Sequence, residues 1–292
     1  MLQLQLIALY DYVCRCYDRH LCLHFQRQSN NRQPDFTDQE LITIYLFGLL
    51  KQRYTMRQSY DYIVDHWLDW FPKLPSYQAF NYRLNQVSWQ FEVLIDELVH
   101  QLQTRPCHHH ISLVDSLPII VSKRPYQAKV ARDWADKGFC ATKKLYYHGL
   151  KLHFVGFDRR ETIPLPEHFY FTPASANDLT VLKQTTLPYV EQRILVGDKI
   201  YASAPLQAQL CQQQVEMVTP IKLKKGQKRL DAADQLYSSY VSSIRQPVES
   251  FFNWLIEKTH IQTASKVRSQ KGLLLHCLGR LAAGLYMMAF IS

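Results

Sequence analysis

The chain has 292 residues, room for one or two domains, and its 47% hydrophobic content supports a sizeable core. Thirty-four basic against 25 acidic residues leave a net charge of +9, which favours a polyanionic partner. Seven cysteines without a C-x-x-C pair exclude a disulfide framework and fit a reducing, cytoplasmic setting. Leu2–Tyr10 is apolar but has no basic n-region before it and no small-residue cleavage site after it, so no secretory signal is expected.

In chain order, a first helix is expected over Leu4–Phe25, then a polar loop over 26–34. Cys14, Cys16, His20, Cys22 and His24 crowd that helix, but a single helix cannot wrap a tetrahedral ion, so no zinc site is expected. Thr37-Asp-Gln-Glu40 is a capping box, and Leu41, Ile44, Tyr45, Gly48 and Leu49 follow at helical spacing. Further helices are expected over Met56–Phe71, from an N-cap at Ser76, and over Trp89–Gln103. Residues 1–104 therefore read as a helical, helix-turn-helix-like DNA-binding domain. Gln78, Asn81, Arg83, Asn85 and Gln86 of the helix from Ser76 are of the type that reads base edges, or an ordinary polar helix face.

After residue 105 the pattern turns to strands, expected near 110–117, 145–156, 163–171, 193–197 and 215–219. Helices are expected near 177–189 and 201–213, from 245, and over 270–290; the last is apolar but holds His276 and Arg280, so it reads as buried rather than membrane-spanning. Three strands followed by alternating units predict an α/β fold with a mixed five-stranded sheet flanked by helices over 105–292.

Three carboxylates occupy telling places. Asp115 lies in an apolar strand, where an unpaired charge is costly and must find a cation. Pro118 follows closely, and the strand is expected to bend or end there. Asp198 directly follows Ile194–Val196, at the carboxyl end of a strand, where ligands of open α/β sheets gather. A loop Asp capping the next helix is the plainer alternative. Glu249 lies on the flank of the stripe Val248, Phe251, Phe252, Leu255 and Ile256, whereas Glu257 points opposite it. Pro247 is expected in the first helical turn, and Arg245 and Glu249 could form a mere i, i+4 pair. Asp178 is expected to cap a helix, with a fourth acidic site residue as the alternative. Such a cluster suits two Mg²⁺ ions about 4 Å apart and in-line phosphoryl transfer.

The motifs Leu113-Val-Asp115-Ser-Leu-Pro118, Lys143-Lys144-Leu-Tyr-Tyr-His-Gly-Leu-Lys151-Leu-His153, Phe171-Thr-Pro-Ala-Ser-Ala-Asn-Asp178, Val196-Gly-Asp198-Lys-Ile-Tyr201 and Arg245-Gln-Pro-Val-Glu249-Ser-Phe-Phe carry a resemblance. The chain resembles bacterial insertion-sequence transposases of the DDE type, in the IS4/IS5-like group and closest to the IS982 family, over roughly residues 36–290. The resemblance implies an RNase H-like core, with Asp115, Asp198 and Glu249 as catalytic residues and ligands of two Mg²⁺, for which Mn²⁺ can substitute. It also implies cleavage at the terminal inverted repeats of a mobile element, strand transfer into target DNA, and a homodimer in the synaptic complex. Ile200 and Ser175-Ala-Asn177 depart from the family pattern without removing a metal ligand. Lys143, Lys144, Lys151, Lys199, Lys222, Lys224, Lys225, Lys228, Arg229 and Arg245 are the candidate DNA contacts. The run from Lys222 to Arg229 precedes the catalytic helix, and each phosphate it neutralised would add about one unit of salt dependence. A catalytically dead DNA-binding derivative and a structure-specific RNase H-like nuclease are the rival readings.

Overall fold

Thr37 starts its helix by closing a ring of bonds. Its hydroxyl accepts from Glu40 N (3.2 Å), and the Glu40 carboxylate accepts from Thr37 N (2.7 Å), the capping box anticipated above. The structure, a computed structural model, describes residues 2–21, 35–141, 143–159, 162–186, 190–223 and 225–291. The described chain divides into two compact units, residues 1–101 with 255–261 and 266–292, and residues 102–254 with 262–265.

The first unit is helical. Its helices are α1 (Leu2–Cys16), α2 (Asp38–Leu50), α3 (Met56–His66), α4 (Tyr77–Gln86) and α5 (Gln90–Gln103). Helix α1 passes into a π-helical turn over Tyr17–Leu21. Residues 22–34, which held the expected end of this helix and the polar loop, lie outside the described residues. Thr55 and Gln58 form a second capping box at α3. That helix ends at His66, short of the expected Phe71, and a 3-10 turn follows over Leu68–Trp70. Ser76 caps α4, as expected, by accepting from Ala79 N. The terminal helix α9 (Gln270–Phe290) is buried continuously from Leu273 to Met288 within this unit. Tyr45 of α2 presses on it at Gly279, where any Cβ would come 2.4 Å from the ring. The buried Arg280 guanidinium donates to the carbonyls of Thr259 and Tyr54, and His276 Nε2 donates to the Ile261 carbonyl at 2.8 Å.

The second unit is built on a mixed sheet. Its strands are β1 (His108–Ser122), β2 (Asp136–Cys140), β3 (Leu145–Asp158), β4 (Leu165–Pro173), β5 (Ile194–Val196) and β6 (Glu216–Val218). Antiparallel β3 pairs with β1 on one side; on the other, β2 takes its first residues and β4 its later ones. Parallel β5 and β6 extend the sheet beyond β1. The five expected strands are all present, and β2 is added to them. This is an α/β fold with a curled mixed sheet flanked by helices, consistent with the RNase H-like class.

Strand β1 does not end at Pro118 but runs on to Ser122, keeping its register with β3 through the proline. Ile120 N donates to the Gln262 carbonyl and so points away from β3. Pro118 lies two residues earlier and has the same orientation, so its missing N–H falls on the side away from β3 and costs that ladder nothing.

Helices cover both faces. Val114, Val155, Leu195 and Tyr201 pack with Leu206 and Leu210 of α7 (Ala204–Cys211) on one. On the other lies α8 (Ala232–Thr259), whose Phe251 stacks on Phe154 of β3 at 4.6 Å. Helix α8 begins 13 residues before the expected start, so Pro247 sits in its interior rather than its first turn. Only residues 219–231 separate β6 from α8, which leaves no room for a large β-rich insertion, as expected.

Candidate active site

The sheet and α8 bring the three predicted carboxylates to one guanidinium. Asp115 and Phe154 are directly paired across β1 and β3, so they share the face that α8 covers. Val248, Phe251 and Phe252 anchor α8 there. Arg245 and Glu249, on the flank of that stripe, are thereby held over Asp115. Arg245 Nη2 lies 3.1 Å from Asp115 Oδ2 and 3.5 Å from Glu249 Oε1, and Nη1 lies 3.7 Å from Asp198 Oδ1. Arg245 thus joins all three acids, not Glu249 alone as a local helix pair would. Its Nε is buried with no protein partner among the described residues.

Each carboxylate has its own setting. Asp115 is the most enclosed and accepts from the Ser116 amide at 2.8 Å. Burial pushes its carboxyl above the ordinary range, more than the charge of Arg245 and these bonds pull it down. Asp198 is half-exposed and accepts from the Lys199 amide (2.7 Å), so it caps the 3-10 turn Lys199–Tyr201 and still reaches Arg245. The backbone before it must be glycine. A Cβ at Gly197 would sit 2.7–2.8 Å from Met217, Tyr201 and Val114 side chains. Glu249 is the most open of the three. Glu257 is exposed and pairs with Lys258 (3.0 Å).

Asp178 is not the helix cap. Asn177 is, accepting from Leu179 and Thr180 amides at the start of α6 (Asp178–Val181). Asp178 instead accepts from Lys151 Nζ (2.9 Å) and Ser116 Oγ (3.3 Å), with His153 Nδ1 at 3.9 Å. Ser116 points to the sheet face opposite Asp115, so this buried pair lies behind the three carboxylates. Tyr201, buried in the apolar cluster with Val114 and Val155, feels the charges of both groups. Burial, then the charges of Asp178, Asp115 and Asp198, push its phenol well above the usual range.

The candidate DNA contacts scatter more widely. Lys144, Lys199, Lys225, Lys228 and Arg229 are exposed, and Lys143 Nζ donates to Gln262. Lys222 Nζ donates to the Ala202 carbonyl (3.1 Å), which draws the start of the basic loop toward the turn after Asp198. Lys151 and Arg245 are engaged by acids as described, and Lys224 lies outside the described residues. On α4, Arg83 is bound to Asp38 at 2.9 and 2.5 Å, Asn85 to Asn81, and Gln86 to Lys271; Gln78 is exposed.

Among the described residues no three acidic, His or Cys side chains form a ready-made ion cage. The donor chemistry nonetheless fits a hard divalent cation, which takes carboxylate oxygens. Three such groups already converge on one positive charge, at Arg245. The sequence model of the family described as "Transposase DDE domain" matches residues 106–284, more than half of the chain. The chain belongs to that family. As a DDE transposase it is a transposase-type enzyme with a DNA substrate, and the family generally works with a divalent metal. No curated protein and no solved structure matches this transposase.

Proposed function

We propose that this transposase cuts DNA at the terminal inverted repeats of its own element and transfers the freed strand into target DNA. Asp115, Asp198 and Glu249 act as its catalytic carboxylates. The observation that carries this reading is their shared contact with Arg245. The motif pattern favours the IS982-like branch of the IS4/IS5-like group.

The three carboxylates would hold Mg²⁺ or Mn²⁺, two ions in the working complex, whose Lewis-acid charge activates the attacking oxygen and steadies the leaving one. The protein's own part is placement. Asp115 is fixed by β1 and its Ser116 amide bond, Asp198 by the cap it forms, and Glu249 by the aromatic anchors of α8. Arg245 leaves the carboxylates for a DNA phosphate, where its fork of donors, the unpartnered Nε–H included, suits a phosphate. Lys144, Lys199 and the loop from Lys222 to Arg229 line up the backbone. The N-terminal helices bind the element's end, and two copies pair the two ends.

Cleavage of a labelled duplex bearing the element's end, with Mg²⁺ or Mn²⁺, tests this. Cutting at the end that vanishes in Asp198→Asn is expected. Equal cutting by both proteins overturns the assignment, cutting without regard to end sequence favours the structure-specific nuclease, and binding without cutting favours the inactive derivative.

A further inference from the structure

The proposed chemistry leaves one pair of buried charges unused. Lys151 of β3 and Asp178 at the start of α6 meet at 2.9 Å on the sheet face opposite Asp115, and Lys151 Nζ also donates to the Ala176 carbonyl at 2.8 Å. A buried ion pair adds little net stability, because desolvation offsets the attraction. The second oxygen of Asp178, however, accepts from Ser116 Oγ at 3.3 Å. Ser116 directly follows Asp115, and its amide donates to Asp115 Oδ1 at 2.8 Å. Strand β1 is supported on one edge only at this point. β5 accompanies it as far as Leu113, which pairs with Val196, and further on Ile120 N reaches the Gln262 carbonyl. Ser116 N points to that same edge, four residues before Ile120. Among the described residues no strand lies beside it there. The Asp115 carboxylate turns into this gap and takes the amide. The gap begins where β5 ends, two residues before Asp198.

We propose that Asp178 is a positioning residue for Asp115, acting through Ser116 from the back of the sheet. The inference rests on the catalytic role proposed above for Asp115. Asp178 is itself held by Lys151 and by α6, whose first turn Asn177 caps. It fixes the Ser116 hydroxyl on one face of the sheet. That sets the Ser116 peptide, whose N–H holds Asp115 Oδ1. The other oxygen of Asp115, Oδ2, faces Arg245 and is the one left for a cation. The buried pair thus orients the most enclosed of the three carboxylates without touching the substrate.

Three variants of the full chain test this: Ser116→Ala, Ser116→Thr and Lys151→Met/Asp178→Leu. The readouts are cutting of the element's end, Mn²⁺ binding to the DNA-free protein by electron paramagnetic resonance, and urea titration. Ser116→Ala should lower kcat at least about tenfold with KM for DNA unchanged, as a small misplacement of a reacting group does. Its Mn²⁺ binding should weaken as well. Ser116→Thr keeps the hydroxyl and should restore both. The double variant removes both buried charges, so it should unfold near the wild-type urea midpoint. It should nevertheless cut and bind Mn²⁺ as poorly as Ser116→Ala. A double variant as stable and as active as the wild type would show the pair to be structural only and overturns the proposal. So does a Ser116→Ala variant with unchanged kcat and Mn²⁺ affinity, a result that decides the matter even where the double variant does not fold. Either result leaves the DNA-cutting function standing. A wild type that binds Mn²⁺ but cuts nothing removes that function, and the Mn²⁺ series then decides the inference alone. A wild type that does neither removes both.

Discussion

Arg245 is a resident cation among three acids, and its removal separates two effects. Arg245→Gln takes away a unit charge at contact distance, worth about 4 kcal/mol at an effective dielectric near 20. Mn²⁺ binding to the DNA-free protein, followed by electron paramagnetic resonance, should tighten at least about tenfold, while DNA cutting falls. Unchanged Mn²⁺ affinity contradicts the placement of the ion among these carboxylates. The Lys151–Asp178 pair is 17% and 12% exposed, so breaking it leaves a buried charge alone. Lys151→Met should destabilise the fold by about 3 kcal/mol in urea titration, and a loss under 1 kcal/mol would show the pair to be well solvated. The place of each carboxylate within its own element could be read from the sequence, because strand, strand end and helix flank are local patterns. The partners of Asp178 could not, since Ser116 and Lys151 lie 62 and 27 residues away. With two Asx residues adjacent at 177 and 178, the choice of cap was also open to either.

At the scale of elements, α8 carries a proline in its interior. Pro247 removes one i→i−4 bond a half-turn before Glu249, a change that costs about 3 kcal/mol in an unstrained helix. Pro247→Ala should therefore raise the thermal midpoint by several degrees; a lower midpoint would mean that the surroundings require the proline. Sequence periodicity placed the helix start too late because Ala232–Ile244 is a mostly exposed, polar extension without a continuous apolar stripe. Strand β2 escaped for a related reason. Asp136-Lys-Gly-Phe-Cys140 has little strand propensity and owes its form to pairing with β3. The N-caps at Thr37 and Ser76 were legible because a cap is a local side-chain-to-backbone bond.

Across the whole molecule, each unit buries a neutral histidine. His276 is lowered to about 3 by burial and then by Arg280. His153 is lowered to about 4 by burial first, against the opposing pull of Asp178. An unfolded histidine takes up its proton near pH 6.5. The neutral rings thus contribute fully above pH 6.5, and the contribution is lost as pH falls toward 4 and 3. Stability should fall by a few kcal/mol between pH 7 and pH 4, and His276→Gln should flatten part of that slope; a slope unchanged in this variant assigns the acid sensitivity elsewhere. The terminal helix illustrates what remained hidden at this scale. Its apolar composition announced burial, but nothing in residues 270–290 says that Gly279 meets Tyr45 of α2.

The central claim is that Asp115, Asp198 and Glu249 act as one site, and four single variants test it most directly. Mg²⁺-dependent cutting of the element's end should fall by at least about a thousandfold in Asp115→Asn, Asp198→Asn and Glu249→Gln alike, because groups that act as a unit are lost together. Glu257→Gln, on the exposed face of the same helix, should cut as the wild type does. Retained cutting in Glu249→Gln with loss in Glu257→Gln would contradict the account.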